Sequence, residues 1–162
     1  MLFWSIIRNL KFSQVYRVIV WFLLHPLFMF ATIKATYITM KIAQKEFPDI
    51  HNKLNKANAF RHALWNFLIA NQCSQFSFKL DSILDWTKKI TDWHEEFSPN
   101  KEMAKLMDLH NNKIGRERFK EVGRQPRDKI VNILIDELSL AVLIRNRSDF
   151  QNFENNLVYL ES

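Results

Sequence analysis

Glycine, proline and cysteine are all scarce in this chain of 162 residues, and each scarcity excludes a class of protein. Two glycines are too few for the Gly-rich loop of a P-loop or dinucleotide-binding fold. With only four prolines as well, the chain lacks the turn residues of an all-β sandwich or barrel. The single cysteine, Cys73, excludes an internal disulfide framework and a zinc site made of several thiolates.

Apolar residues are abundant and recur at helical spacing: 48% of the residues are apolar and 25% are charged. This pattern predicts an all-α fold, a compact single-domain bundle of about seven or eight helices without strands. The predicted helices cover residues 2–10, 13–24, 26–47, 56–73, 77–97, 99–122 and 127–146, and a last helix begins at Ser148. The domain, 1–162, then comprises an apolar basic segment (1–45), polar-site helices (54–120) and C-terminal packing helices (127–160).

The net positive charge of the chain lies entirely in its first third, because basic and acidic residues balance in the rest. Residues 1–45 contain no Asp or Glu, and they hold six basic residues, which equals the net charge of +6: Arg8, Lys11, Arg17, Lys34, Lys41 and Lys45. These charges punctuate aliphatic and aromatic runs such as VIVWFLL, a pattern that favours an anionic membrane surface over nucleic acid as the partner. The alternative is that the runs form the buried core of a bundle whose rim carries the lysines.

The longest apolar stretch, residues 18–33, is interrupted by His25 and Pro26 and is shorter than the roughly 20 residues of a spanning helix. We therefore expect a cytoplasmic protein that lies on a membrane, held by an interfacial helix pair bent at His25-Pro26. A re-entrant hairpin at that point is the alternative. The aromatic residues expected to contact lipid are Phe3, Trp4, Trp21, Phe22, Phe28 and Phe30.

Three polar strings interrupt the apolar helices: NAFRHALWN (58–66), DWHEEF (92–97) and MDLHNNKIGR (107–116). In the first, Asn58, His62 and Asn66 lie four residues apart and share a helix face. In the third, Asp108, Asn112 and Arg116 do the same, and Gly115 indicates a close approach to the backbone. Each string alone has a structural interpretation: a core histidine paired with an asparagine, a solvated helix end at His94-Glu95, and an ion pair of Asp108 with Arg116. Their coincidence predicts one polar site shared by three helices.

The residue types in this site suit acid–base chemistry. His62 or His94 is a candidate general base, carboxylates orient it, and an arginine binds an anionic oxygen. A divalent metal is the alternative cofactor, although adjacent His94 and Glu95 diverge by about 100° on a helix. The candidate catalytic residues are His62, His94, Glu95, Asp108, Asn112 and Arg116. The candidate binding residues are Asn58, Arg61, Trp65, Asn66 and Asn111.

The three strings resemble an uncharacterised bacterial domain family that occurs as small stand-alone proteins, notably in the Bacteroidetes, and as a C-terminal module of Rhs-type polymorphic toxins. HPLFMFATIKAT also resembles the HPL-x-x-x-PT-x-x-AT stretch of the stand-alone proteins, with Ala31 in place of a proline. The resemblance covers residues 25–120. The presence of this domain in toxins implies an enzymatic or membrane-active function. The positions that match the family are those of the candidate residues named above and of Gly115.

Three functions remain open at this point. The first is a membrane-associated hydrolase that acts on a lipid or another phosphate-bearing substrate, with a role in toxicity or antiphage defence. The second is a non-enzymatic membrane-bound homo-oligomer or pore. The third is a helical ribonuclease using Asn55 and His62, which the neutral charge of residues 46–162 disfavours.

Overall fold

The chain folds as an all-α bundle, as predicted. This computed structural model describes residues 12–48, 53–97 and 100–161, and of residues 12 and 13 it describes the backbone alone. The predicted helix 2–10 and the predicted cap at Ser98-Pro99 therefore lie outside the described residues. The described elements are α1 (Phe12–Leu24), α2 (Pro26–Glu46), α3 (Lys56–Cys73), α4 (Leu80–Phe97), α5 (Glu102–Val122), α6 (Arg127–Ser139), β1 (Val142–Leu143), α7 (Asp149–Asn152) and β2 (Val158–Tyr159).

Helix α3 is the centre of the bundle and packs against α2, α4, α5 and α6. Asn55 caps its first turn, because its side chain accepts a hydrogen bond from the Asn58 backbone N–H at 3.2 Å. Fourteen of the helix's eighteen residues are buried, which explains its lack of an exposed polar stripe. Its apolar side chains fill the core, and four of its polar ones are buried as well: Asn58, His62, Asn66 and Asn71.

Gly115 sets the distance between α3 and α5. A Cβ atom at this position would lie only 2.1 Å from the backbone carbonyl oxygen of Ala63 on α3. Only glycine therefore permits this approach, which confirms the close backbone contact expected from the sequence. The approach brings the polar face of α5 directly against the polar face of α3.

The C-terminal region differs from the prediction. Helix α6 ends at Ser139, whereas the sequence pattern predicted a helix to residue 146, and the last helix is the single turn α7. The prediction of packing helices over 127–160 is thus wrong after Ser139, where β1 and β2 form a short parallel pair. Asn111 fixes β2 from the side: its amide accepts from the Val158 N–H at 2.9 Å and donates to the Val158 carbonyl at 2.8 Å.

The N-terminal helices bend at the expected place. Helix α1 ends at Leu24, α2 begins at Pro26, and the two axes differ by 118°. Among the described residues no single helix has the length and hydropathy to cross a bilayer, and only this bent pair meets those two criteria jointly. Trp21 corrects one expectation, since it is buried against Trp86 and Trp93 of α4 and faces the core instead of lipid.

Other large side chains of α1 and α2 are exposed. Phe22 and Phe30 contact each other edge to face at 5.1 Å between ring centroids, and both remain accessible, whereas Phe28 is half-buried against Trp86. On α2 the exposed side chains recur every three or four residues, on the side opposite the core. We call the set the apolar face; it consists of Tyr16, Ile19, Phe22, Leu23, Leu24, Leu27, Phe30, Ile33 and Tyr37.

Candidate functional site

His62 lies at the meeting point of three helices. From α3 its ring points between Glu95 of α4 and Asp108 of α5, and the three side chains are 4%, 1% and 2% exposed. The ring Nδ1 is 3.6 Å from Glu95 Oε1, and Nε2 is 3.4 Å from Asp108 Oδ1. The structure thus brings together the predicted histidine and the two predicted acids, one from each polar string.

A chain of hydrogen bonds fixes how the His62 ring is protonated. Arg116 can only donate, so its 2.8 Å bond must end on the amide oxygen of Asn66. The Asn66 nitrogen then donates to Asn112 Oδ1 at 2.6 Å. That same oxygen lies 3.2 Å from His62 Nδ1, which must therefore carry the ring proton. The lone pair of His62 is left on Nε2, facing Asp108 and Arg61.

In each carboxyl group one oxygen lies near an asparagine amide and the other makes no hydrogen bond. Asn100 donates to Asp108 Oδ2 at 2.8 Å, and Asn112 Nδ2 approaches Glu95 Oε1 at 3.5 Å. Asp108 Oδ1 and Glu95 Oε2 are buried and make no hydrogen bond. Buried polar atoms without a partner are rare in proteins and destabilise the fold, so these two oxygens are available to a ligand.

Burial dominates the proton affinities of the three groups. It raises the pKa of Glu95 to about 7, and the nearby Asp108 charge adds to this shift. Burial also raises the pKa of Asp108 to about 7, against the opposing effect of Arg61. The pKa of His62 is well below its ordinary value because the ring is buried, and the positive charge of Arg61 lowers it further. The imidazole is therefore neutral at pH 7.

Arg61, Trp65 and His94 form the outer edge of the cluster. The Arg61 guanidinium is half-buried, with Nη2 3.0 Å from His62 Nε2 and 3.4 Å from Asn58 Oδ1. Trp65 packs edge to face on exposed His94 at 5.2 Å and donates to Thr36 Oγ1 of α2 at 2.8 Å. Since Thr36 is flanked on α2 by Ile33 and Tyr37, this edge adjoins the apolar face.

Some predicted site residues lie elsewhere or have a different environment. Asn111 points away from the cluster and pairs with the backbone of β2. Arg116 lies behind the cluster, where it bonds Asn66 and contacts Thr91 at 3.4 Å. Asn55, the residue considered for a ribonuclease, is the helix cap of α3. Burial raises the pKa of the Cys73 thiol to about 12, so it is not an activated nucleophile.

Two residues of the cluster were not predicted. Thr91 donates to Asn66 Oδ1 at 3.0 Å, and it lies four residues before Glu95 on the same face of α4, a spacing that was available in the sequence. Asn100 precedes α5 and orients Asp108 from a loop. No periodic signal exists for a loop residue, so the sequence alone offered no way to find Asn100.

Comparison with known proteins identifies the family. Residues 19–142 match the domain of unknown function DUF6973. The chain belongs to this family. The DUF6973 match extends from α1 to β1 and includes every candidate site residue, which confirms the expected membership of an uncharacterised domain family. No curated protein and no solved structure matches the chain, so the activity must be argued from the site itself.

Proposed function

We propose that this protein is a membrane-associated hydrolase that cleaves a phosphate ester at an anionic bilayer surface. The observation that carries the proposal is the buried convergence of His62, Glu95 and Asp108 beside a half-exposed arginine. A solvent-excluded group of one imidazole and two carboxyls serves no packing purpose that apolar side chains would not serve better. Such groups are typical of sites where water is activated.

The chemistry is the addition of water across an ester bond. The water oxygen forms a bond to phosphorus, the bond from phosphorus to the alcohol oxygen breaks, and the proton lost by water ends on the departing alcohol. The cluster supplies the groups that hold the water and pass on its proton. Arg61 is suited to bind a phosphate oxygen, because its Nε has no partner and its bond to Asn58 is long, at 3.4 Å.

The apolar face supports the membrane part of the proposal. Its exposed side chains, together with basic residues and no acid in residues 1–45, match an anionic lipid surface in both hydropathy and charge. Trp65 connects the two regions, because it bonds Thr36 of α2 and packs on His94 next to Glu95. The resemblance to toxin modules favours a role in toxicity or defence, at the bacterial inner membrane.

The test is hydrolysis by the full chain of two substrates: anionic phospholipid in vesicles and a soluble nitrophenyl phosphodiester. We expect product from the vesicles at a higher rate than from the soluble ester. His62→Gln should lower the rate by about 10²–10⁴-fold, the usual contribution of a proton-transfer group. Equal hydrolysis of both esters would contradict the membrane part, and an active, folded His62→Gln variant would contradict the catalytic part.

A non-enzymatic membrane protein is distinguished by the same vesicles loaded with dye. The hydrolase releases phosphate or headgroup, and dye leakage, if it occurs, requires His62. Leakage without any cleaved lipid, at the same rate for His62→Gln, would replace the proposed hydrolase with a pore-forming oligomer. Light scattering of the purified protein in detergent would then give the number of subunits.

A further inference from the structure

We propose that His62, Glu95 and Asp108 together bind one divalent transition-metal ion, with chemistry of the Zn²⁺ or Mn²⁺ kind. The ligands would be His62 Nε2 and the free oxygen of each carboxylate. The ion would hold and activate the water of the hydrolytic step, and in that respect the inference rests on the proposed function. Binding of the ion can be measured without any substrate.

The spacing of the three residues fits one ion. A ligand atom from each residue lies within 4.8 Å of the ligand atoms of the other two. Two ligand atoms of a tetrahedral ion are about 3.4 Å apart, a spacing that His62 Nε2 and Asp108 Oδ1 already have at 3.4 Å. The Glu95 carboxylate would have to approach by up to about 1.4 Å, which rotation of its side chain supplies. Mixed imidazole and carboxylate donors suit Zn²⁺ and Mn²⁺, and three protein ligands leave a position open for water.

Neighbouring asparagines orient each ligand from behind. Asn112 accepts the proton of His62 Nδ1 and so directs Nε2 inward, which is the usual arrangement of a metal-bound histidine. The same residue approaches Glu95 Oε1 with its nitrogen, and Asn100 holds Asp108 Oδ2. Each carboxylate thus has one oxygen near an amide and the other without a partner, and Asp108 Oδ1 lies 3.4 Å from Nε2.

Two acceptor atoms, His62 Nε2 and Asp108 Oδ1, face each other in the centre, and Arg61 Nη2 is the donor beside Nε2, at 3.0 Å. His62 Nε2 has a lone pair, because the ring proton is on Nδ1, and Asp108 Oδ1 lies 3.4 Å away without a hydrogen bond. Glu95 Oε2 is also buried and unpartnered. Such an arrangement is unfavourable by itself and becomes favourable once a cation binds between the atoms.

Arg61 supplies positive charge in this structure, and it must move for the ion to reach Nε2. Its Nη2 lies 3.0 Å from that nitrogen. The guanidinium is weakly held, with an unpartnered Nε and the 3.4 Å bond to Asn58, so displacement breaks few contacts. A side chain displaced by the ion would be directed outward, where a substrate phosphate would approach. Arg61→Met should therefore increase the affinity for the ion.

The experiment is titration of the chelator-treated full chain with Zn²⁺ or Mn²⁺, followed by calorimetry and by thermal unfolding. We expect one ion per chain, a higher melting temperature with the ion, and at least 100-fold weaker binding by Asp108→Asn and Glu95→Gln. His110→Gln is the matched control, since this half-buried histidine of α5 bonds the Asn156 carbonyl outside the cluster. Circular dichroism verifies that each variant is folded.

Co²⁺ gives an independent readout, since its visible absorption reports nitrogen and oxygen ligands directly. Absorption bands in the wild type and in His110→Gln, but not in folded Asp108→Asn, support the site. No binding to the wild type, or equal binding to Asp108→Asn, would overturn it. Hydrolysis that persists in chelator would overturn the metal site and leave the proposed function intact. One bound ion without any hydrolysis would support the metal site and overturn the proposed function.

Discussion

Two regions of the molecule depart from the usual arrangement of buried apolar and exposed polar side chains, and they do so in opposite ways. Helices α1 and α2 expose apolar side chains such as Leu23, Leu27 and Phe30. Helices α3, α4 and α5 bury polar ones, among them His62 and Asp108, next to fully buried Phe67 and Ile114. Both arrangements are unfavourable for a protein that only has to fold, because apolar surface prefers burial and buried polar groups lose hydration.

The difference between them lies in what completes each region. In our proposal a bilayer covers the apolar face, and such a contact tolerates any apolar side chain of similar size. The polar cluster needs a small polar ligand, and it depends on single atoms whose partners are fixed by asparagines and Gly115. Substitutions should therefore have graded effects on α1 and α2 and all-or-none effects in the cluster.

The largest effect on stability is expected from Gly115→Ala. The added Cβ would lie 2.1 Å from the Ala63 carbonyl oxygen, and the backbone cannot yield without separating α3 from α5. We expect a loss of about 2–3 kcal/mol in the free energy of unfolding, as for overpacked cores, together with loss of activity. Urea unfolding followed by circular dichroism measures this change.

Gly123→Ala is the matched control for that substitution. Gly123 has a positive φ of 65° but no atom within 4 Å of an added Cβ, so only backbone strain opposes the change. It should lower the free energy of unfolding by about 1 kcal/mol and leave activity unchanged. Equal losses of activity in the two variants would show that the close approach of α3 and α5 is not needed for the site.

The pH dependence of stability is the next largest effect. The pKa values of Glu95 and Asp108 are raised to about 7, above the value of about 4 in an unfolded chain. The folded protein then holds protons that the unfolded chain has released, so these two groups lower the stability as the pH rises. Below about pH 6.5, His62 and His94 act in the opposite direction, because burial lowers their pKa values and the unfolded chain binds protons that the folded one does not. Above pH 6.5 the histidines are neutral in both states, and we expect the stability of protein kept in chelator to fall by about 1–2 kcal/mol between about pH 6.5 and 8.

Asp108→Asn removes one of these groups and should flatten that profile. Thermal melts at pH 5, 6, 7 and 8, in chelator, compare the variant with the wild type. A wild-type melting temperature that rises between about pH 6.5 and 8 would mean that both carboxylates are stabilised in their ionised form, contrary to the environment described above.

Substitutions in the apolar face should have the smallest effect on stability, but they should clearly weaken binding to membranes. Leu27 and Phe30 are 52% and 55% exposed, so replacing both by Asn should change the free energy of unfolding by less than about 1 kcal/mol. Binding to anionic vesicles should weaken by at least about tenfold, because each side chain contributes on the order of 1 kcal/mol of transfer free energy. Co-sedimentation with vesicles measures the partition.

Leu140→Asn provides the comparison for the vesicle assay. Leu140 is 69% exposed but follows α6, outside the apolar face. Its substitution should leave vesicle binding unchanged. If it weakens binding as much as the double substitution in α2 does, general hydrophobicity and not the apolar face governs the attachment.

Periodicity predicted those parts of the fold that local interactions determine. The boundaries of α3 agree with the predicted 56–73, because Asn55 caps the helix. The break at His25-Pro26 was likewise readable from the sequence. The strands β1 and β2 were missed, since two residues each are too short for a periodic signal and their pairing depends on Asn111 from a distant helix.

The coincidence of three polar strings predicted one shared site, but the spacing of the residues resolved only the helix faces. Spacing of four residues placed His62 and Asn66 on one face, and Asp108 and Asn112 on another. It did not show that these faces meet, which depends on the packing of Ala63 against Gly115. Nor did it show that Trp21 is buried, because an aromatic residue in an apolar run has no sequence signal that distinguishes the core from a lipid surface.

The most direct test of the polar cluster is to measure stability and hydrolysis together in Asp108→Asn. If the cluster exists for chemistry, the variant is as stable as the wild type or more stable at pH 8 in chelator, because it removes a buried charge. Its hydrolysis of vesicle phospholipid should fall by at least about 100-fold. A variant that is less stable by several kcal/mol and still hydrolyses the lipid at the wild-type rate would show that the cluster serves the fold and not a reaction.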